Sequence, residues 1–250
     1  MKTWTVGLGL MVCVIACWSA AHAFVLSSFR WPTPEATFFA DFLHTGGNSP
    51  SAVTWNQAFR EAAQSWSDST VFEYSIIEER SHPCAGWLPS IPEDGFRNGT
   101  GFFSSFCGLP FGATTLATSI TYYQGNTITE SDIVFNSQRA WDVYSGPWRS
   151  DVADFRRVTA HELGHSLGLD HETLVDALMN PFIEVGSTIE SPLTDDINGV
   201  TALYGDLVDP NAKPIVLFLE EPAPGEVKSG VSNLRGWVVG KAIIDRVEFY

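Results

Sequence analysis

The stretch His161-Glu162-Leu163-Gly164-His165-Ser166-Leu167-Gly168-Leu169-Asp170-His171 constrains this chain more than any other. On an α-helix residues four apart share a face, so His161 and His165 aim their ring nitrogens at one point. Glu162 follows the first of them and stands beside that point. A helix offers no comparable position for a third imidazole, so the chain has to turn sharply after His165, and Gly168 is the residue that accepts positive φ there. His171 then swings back beneath the same point. Three protein ligands on a zinc ion leave the fourth tetrahedral position to water, which marks a catalytic and not a structural zinc. The pattern implies one Zn2+ held by His161, His165 and His171, with Glu162 as the carboxylate that moves a water proton during hydrolysis. A bare H-E-x-x-H arises by chance in unrelated helices. Here half of the chain's six histidines fall inside this one stretch, with the glycine in place.

Residues 1–23 read as an export signal, with Lys2 as the positive start, an apolar core over 6–18, and Ala21-His22-Ala23 as the small-x-small cleavage pattern. The apolar run is short for a membrane span. Val14-Ile15-Ala16-Cys17 offers a competing lipoprotein box that would anchor Cys17, although the Ala-x-Ala site is better formed. Beyond residue 23, Cys84 and Cys107 are the only cysteines, and an oxidising compartment joins such a pair in one disulfide. The net charge of −15 argues against nucleic acid as a partner, since neutralising phosphates takes Lys and Arg.

Residues 36–42 read as a first strand, and Ser49-Pro50 supplies an N-cap with proline at the first helical position. Trp55, Phe59, Ala62 and Trp66 then form one apolar stripe at helical spacing, which is core packing and not a cofactor site. Residues 71–77 read as a second strand and 82–110 as an irregular loop rich in Gly, Pro and Ser. Strands follow at 115–123 and 128–136, joined by a turn at Gly125-Asn126. Glu130 and Asp132 near that turn are either a calcium (Ca2+) pair or solvated carboxylates. Asp151 is placed to cap the zinc helix, whose inward face is Val152, Phe155, Val158 and Leu163. Thr194 or Asp195 is placed to cap a last helix that Gly205 stops. From Asp209-Pro210 the character changes: 215–219, 231–239 and 243–250 read as strands between Pro- and Gly-rich turns. Three strands do not close a sandwich, so 210–250 reads as a linker and the opening of an immunoglobulin-like or similar β-domain.

The histidine stretch, followed by Ala177-Leu178-Met179-Asn180-Pro181, resembles the zinc signature and Met-turn of the matrixins, a family of metzincin metallopeptidases. Leu193-Thr194-Asp195-Asp196-Ile197-Asn198-Gly199-Val200, ending in Leu203-Tyr204-Gly205, resembles that family's final helix, 55–66 its first helix, and Asp132-Ile133-Val134-Phe135-Asn136 its last strand. The likeness covers roughly residues 30–205. It implies an α+β catalytic domain over 24–209, with a twisted mixed sheet, an antiparallel edge strand above the cleft and three helices. It also implies a secreted, monomeric zinc endopeptidase of the extracellular matrix setting, acting on protein or peptide without spanning a membrane. Met179 becomes an apolar floor beneath the metal, Gly168 a structural support, and one of Asp195 and Asp196 a brace for the Met-turn. Residues 182–190 wall the pocket for the side chain after the cleaved bond.

Some features depart from the family. Glu172 matches astacins, but their Met-turn lies further downstream with a tyrosine soon after the methionine, where this chain has Pro181. Animal matrixins hold a second, structural zinc with three more histidines and an aspartate, whereas only His44 and His82 remain here, so the expectation is a single zinc. Pro83-Cys84-Ala85-Gly86 resembles a zymogen cysteine switch, yet it lies inside the catalytic domain with a disulfide partner, and no propeptide precedes the pattern. Asn98-Gly99-Thr100 is a glycosylation sequon in a eukaryotic secretory pathway. The rival function is an exported binding or adhesion protein with a relic zinc site, against which stands the retention of Glu162 beside all three histidines.

Overall fold

Apolar periodicity along the chain resolves, in a computed structural model that describes residues 23–43, 46–88, 90–206, 216–221 and 235–239, into three helices and eleven strands. In order these are β1 (Val25–Leu26), β2 (Glu35–Phe39), α1 (Trp55–Ser69), β3 (Glu73–Ile77), β4 (Asn98–Phe103), β5 (Ala117–Gln124), β6 (Thr127–Asn136), β7 (Trp141–Asp142), β8 (Ala153–Asp154), α2 (Phe155–Leu167), β9 (Leu169–Asp170), α3 (Thr194–Tyr204), β10 (Val216–Glu221) and β11 (Arg235–Val239). The main sheet runs β3-β2-β4-β6-β5. All its pairings are parallel except β5 on β6, so β5 is an antiparallel edge strand with one row of backbone groups unpaired.

Alternation along the strands separates two apolar layers. Ala117, Ile133 and Phe135 face the main core with α1 and α2, whereas Ile120 and Val134 face a smaller cluster under the loop closed by the Cys84–Cys107 disulfide. Seven rings fill the centre of the main core: Phe42, Trp55, Phe59, Phe102, Phe135, Trp141 and Phe155. Phe155 stacks obliquely on Phe135 with centroids 4.6 Å apart. The Trp66 indole donates to Ala160 O at 2.8 Å, which ties the stripe of α1 to the backbone of α2. Burying such rings stabilises each by roughly 1.5–3 kcal/mol, so α2 rests on a stiff platform.

Four local expectations are corrected. The stretch 82–110 is not all loop: β4 lies within it, at the centre of the sheet. Its glycines conceal it, because they answer close approach and not a turn. A Cβ on Gly99 would meet the Ser81 carbonyl at 3.0 Å, and one on Gly101 the Phe103 ring at 2.8 Å. Helix α1 starts after Thr54, whose hydroxyl accepts from Gln57 N, and not at Ser49-Pro50. Helix α2 starts at Phe155, so Asp151 and Val152 precede it. Helix α3 is capped by Asp196, which accepts from Leu193 N at 2.7 Å, and not by Thr194 or Asp195. Asn98 is 5% exposed, with its amide held by Thr37 O and Ser131 N, so the sequon is closed to a glycan in the folded chain. Of the tail, β10 and β11 form an antiparallel pair with Val216 opposite Val239. Residues 1–22, His44 and the third tail strand expected at 243–250 lie outside the described residues.

Candidate metal centre and cleft

Helix α2 carries His161 and His165 one turn apart, and its last residue hands over to Gly168 at φ +106°. Gly168 is needed twice over. The left-handed backbone disfavours a side chain, and a Cβ there would sit 2.5 Å from Phe29 O. The bend leads into β9, which pairs antiparallel with β1, and Ser27 N donates to Gly168 O at 2.8 Å. The strap of residues 25–31 also satisfies the end of α2, since the Trp31 indole donates to Ser166 O at 2.7 Å. His171 follows β9 and returns to the first two rings.

The three histidines converge. His171 Nε2 lies 3.3 Å from His161 Nε2 and 3.1 Å from His165 Nε2, and one ligand atom from each of the three falls within 4.8 Å of the others. His161 Nδ1 faces Leu178 O at 2.8 Å and His165 Nδ1 faces Leu169 O at 3.0 Å. A carbonyl only accepts, so in both contacts Nδ1 is the donor, and the Nε2 atom of each ring is turned toward the meeting point. Three ring nitrogens gathered this closely could share one cation. Zinc fits: its usual bond of 2.0–2.1 Å to imidazole gives a tetrahedral edge of about 3.3–3.4 Å, close to the separations observed. Burial, and then the charge of His165, pushes His161 down to about 3, and the same causes lower His171. These two rings are neutral at neutral pH and so able to bind a cation.

Glu162 lies beside the triad and is 6% exposed. Burial pushes its carboxyl up, while a hydrogen bond from Ser119 Oγ to Oε2 at 2.7 Å opposes the rise. Met179 packs under α2 at Gly164, where any Cβ would collide with the methionine sulfur. The turn that carries Met179 is fixed from below by Asp196, which accepts from Leu178 N at 2.8 Å and Met179 N at 3.1 Å. Of the two candidate aspartates, the contact to this turn belongs to Asp196.

A cavity of about 450 Å³ lies on one side of the triad, between Ser27, Phe29, β5 and His171. On the other side a cavity of about 600 Å³ is walled by residues of the 172–189 segment, with His161 at its mouth and Arg157 in its lining. Arg157 is 1% exposed and donates to Gly146 O at 2.7 Å and Ser187 O at 3.0 Å, and so fastens that wall. Glu130 and Asp132 are 7% and 0% exposed, which overturns the solvated reading of that pair. Asp132 Oδ1 accepts from Gly99 N at 2.6 Å, and burial above all pushes both carboxyls up, Asp132 to about 9 and Glu130 to about 7.

Sequence spacing could not reveal Ser119 or the strap of 25–31, which meet the site from segments distant in the chain, or Arg157, which lies one turn before His161 on α2 but finds its partners at Gly146 and Ser187. Period-two alternation does put Ser119 on the helix-facing side of β5 with Ala117 and Thr121, a signal that marks the position but not its partner.

The matrixin family model matches residues 107–205, the part of the chain that holds the three histidines and Met179. Among known proteins, stromelysin-3 of Xenopus laevis is 28% identical over 199 residues, covering 76% of this chain and 36% of that protein. Matrix metalloproteinase-16 of Homo sapiens is 34% identical over 119 residues, 46% of this chain and 19% of its own length. Interstitial collagenase of Sus scrofa is 47% identical over 66 residues, 25% of this chain and 14% of its own length. The chain thus spans about a third or less of the relatives it resembles.

Proposed function

We propose that this chain is an exported zinc endopeptidase that hydrolyses peptide bonds in protein or peptide substrates, with His161, His165 and His171 as the metal ligands and Glu162 as general base and then general acid. The observation that carries the reading is the meeting of three imidazole nitrogens beside a buried carboxylate, in a cleft flanked, among the described residues, by an unpaired strand edge. Zinc, when bound by the three imidazoles, polarises the scissile carbonyl and acidifies water.

The chain's own residues supply the rest. The free edge of β5 receives an extended peptide by backbone hydrogen bonds and lays it across the triad. The side chain after the scissile bond enters the cavity walled by 172–189. Glu162 takes the proton of the attacking water on one carboxylate oxygen and returns it to the leaving amine, a carboxylate being able to serve as base in the first half and acid in the second. Met179 fills the space beneath the ligands without competing for the metal, a thioether being a weaker ligand than imidazole. Calcium belongs to the proposal as the occupant of the Glu130–Asp132 pair, two buried carboxyls that a cation would let ionise together.

Export to an oxidising compartment is supported by the Cys84–Cys107 disulfide. No described helix is long and apolar enough to cross a membrane. Retention of a cleft and Glu162 beside the ligands gives no support to the relic-site adhesion reading. The test is digestion of casein or gelatin by the purified chain, with and without chelator, beside Glu162→Ala. Wild type is expected to cleave, and chelator and variant each to abolish cleavage while the variant keeps its zinc. Equal cleavage by Glu162→Ala would refute the mechanism.

A further inference from the structure

Among the described residues, the hydrogen bond that holds the Glu162 carboxylate comes from one side chain, Ser119. Its Oγ lies 2.7 Å from Glu162 Oε2 and 3.1 Å from Glu162 O, so one hydroxyl touches both the carboxylate and the backbone of the same residue. Ser119 stands on β5, opposite Ile133 of β6, with its side chain turned toward α2. Ser119 and its neighbour Thr118 both line the cleft, and among the described residues the outer edge of the same strand is unpaired. The residue that would fix the base therefore sits on the strand that would receive the peptide.

A glutamate keeps three rotatable bonds, and a carboxylate held at neither oxygen samples orientations in which no lone pair meets the attacking water. A hydrogen bond at Oε2 removes that freedom and leaves Oε1 for proton exchange. Resting on the peptidase reading above, we propose that Ser119 is a positioning residue that locks Glu162 in register with a peptide seated on β5. It acts through Glu162.

The test compares wild type, Ser119→Ala, Ser119→Thr and Glu162→Ala on an internally quenched peptide, with zinc per chain measured for each. Ser119→Ala is expected to lose about tenfold or more in kcat, the usual effect of deleting a hydrogen bond to a charged group, at unchanged KM and full zinc. Threonine keeps the hydroxyl and suits a strand, so Ser119→Thr is expected to stay within about threefold of wild type. A second measurement uses the inactive Glu162→Ala protein, in which peptide Kd can be read by calorimetry. Adding Ser119→Ala to it is expected to leave Kd unchanged, because the partner is already gone.

A Ser119→Ala enzyme with wild-type kcat overturns the proposal, as does a threonine variant as slow as alanine or a weakened Kd in the double variant. The last of these would make Ser119 a structural part of the edge strand. Cleavage by Glu162→Ala at the wild-type rate would instead overturn the peptidase reading itself, and the role of Ser119 with it. The two failures are separate readouts.

Discussion

Replacing Asp196 tests whether the metal site is built from below. Its carboxylate is 1% exposed and accepts three backbone N–H groups: Leu193 at the start of α3, and Leu178 and Met179 in the turn beneath the ligands. Asp196→Ala strands two buried amides at about 1–3 kcal/mol each and removes a helix cap at about 1 kcal/mol, or about 3–7 kcal/mol in all. Against the 5–15 kcal/mol typical of a domain, that loss unfolds a large fraction of molecules at the lower limit. Asp196→Asn keeps one carbonyl oxygen for the two bonds now made to Oδ2 and turns an NH2 toward Met179 N, so about 1–3 kcal/mol is expected. Urea unfolding of metal-free protein, followed by tryptophan fluorescence, reads these values. The effect should also reach the metal, because Leu178 O orients His161 through Nδ1. Zinc affinity of the asparagine variant is expected to fall about 10–100-fold. An alanine variant within about 1 kcal/mol of wild type would refute the view that Asp196 holds the turn.

Gly168→Ala should weaken zinc binding at least about tenfold in a chelator competition, because it adds about 1–2 kcal/mol of backbone strain to a collision with Phe29 O. Gly125→Ala, also at positive φ but with open space around its Cβ, should leave zinc affinity unchanged. Arg157→Met should cost about 3–5 kcal/mol in urea unfolding and raise KM for peptides, since it removes a buried cation that fastens the pocket wall and lies 3.6 Å from the buried Asp154 carboxylate. In the Glu130–Asp132 pair, Asp132 keeps its proton to about 9 when folded but ionises near 3.8 when unfolded, so the native state binds more protons between those values. Stability should therefore fall as pH rises through that window, by at most about 1.4 kcal/mol per pH unit per proton. Asp132→Asn should flatten the dependence of Tm on pH between 5 and 8.5, and millimolar calcium should flatten it in wild type; a metal-free wild-type Tm that does not fall would count against the buried pair.

The clustering of the three histidines was readable because all of them lie within one helix and one bend, where spacing alone dictates geometry. The first helix and the edge strand were equally plain, since Trp55, Phe59, Ala62 and Trp66 repeat at the helical period and 115–123 alternates. Strand β4 was hidden because Gly99 and Gly101 imitate turn residues while serving contacts with Ser81 and Phe103. The helix starts moved because Thr54 and Asp196 find their partners in the folded chain, whereas Ser49 and Asp151 only have suitable chemistry. The buried state of Asp132 and the bond from Ser119 to Glu162 arise from sheet pairing and helix docking, which join residues 33 and 43 positions apart.

Two of the rings at the centre are steered by main-chain oxygens, those of Leu178 and Leu169. No substitution can delete a carbonyl, so swapping the side chain of either residue leaves the steering atom where it is. Evolution or engineering can therefore vary the neighbourhood widely while the imidazoles stay aimed. Only changes that displace the chain itself, at the glycine bend or at the carboxylate under the turn, can put them out of true.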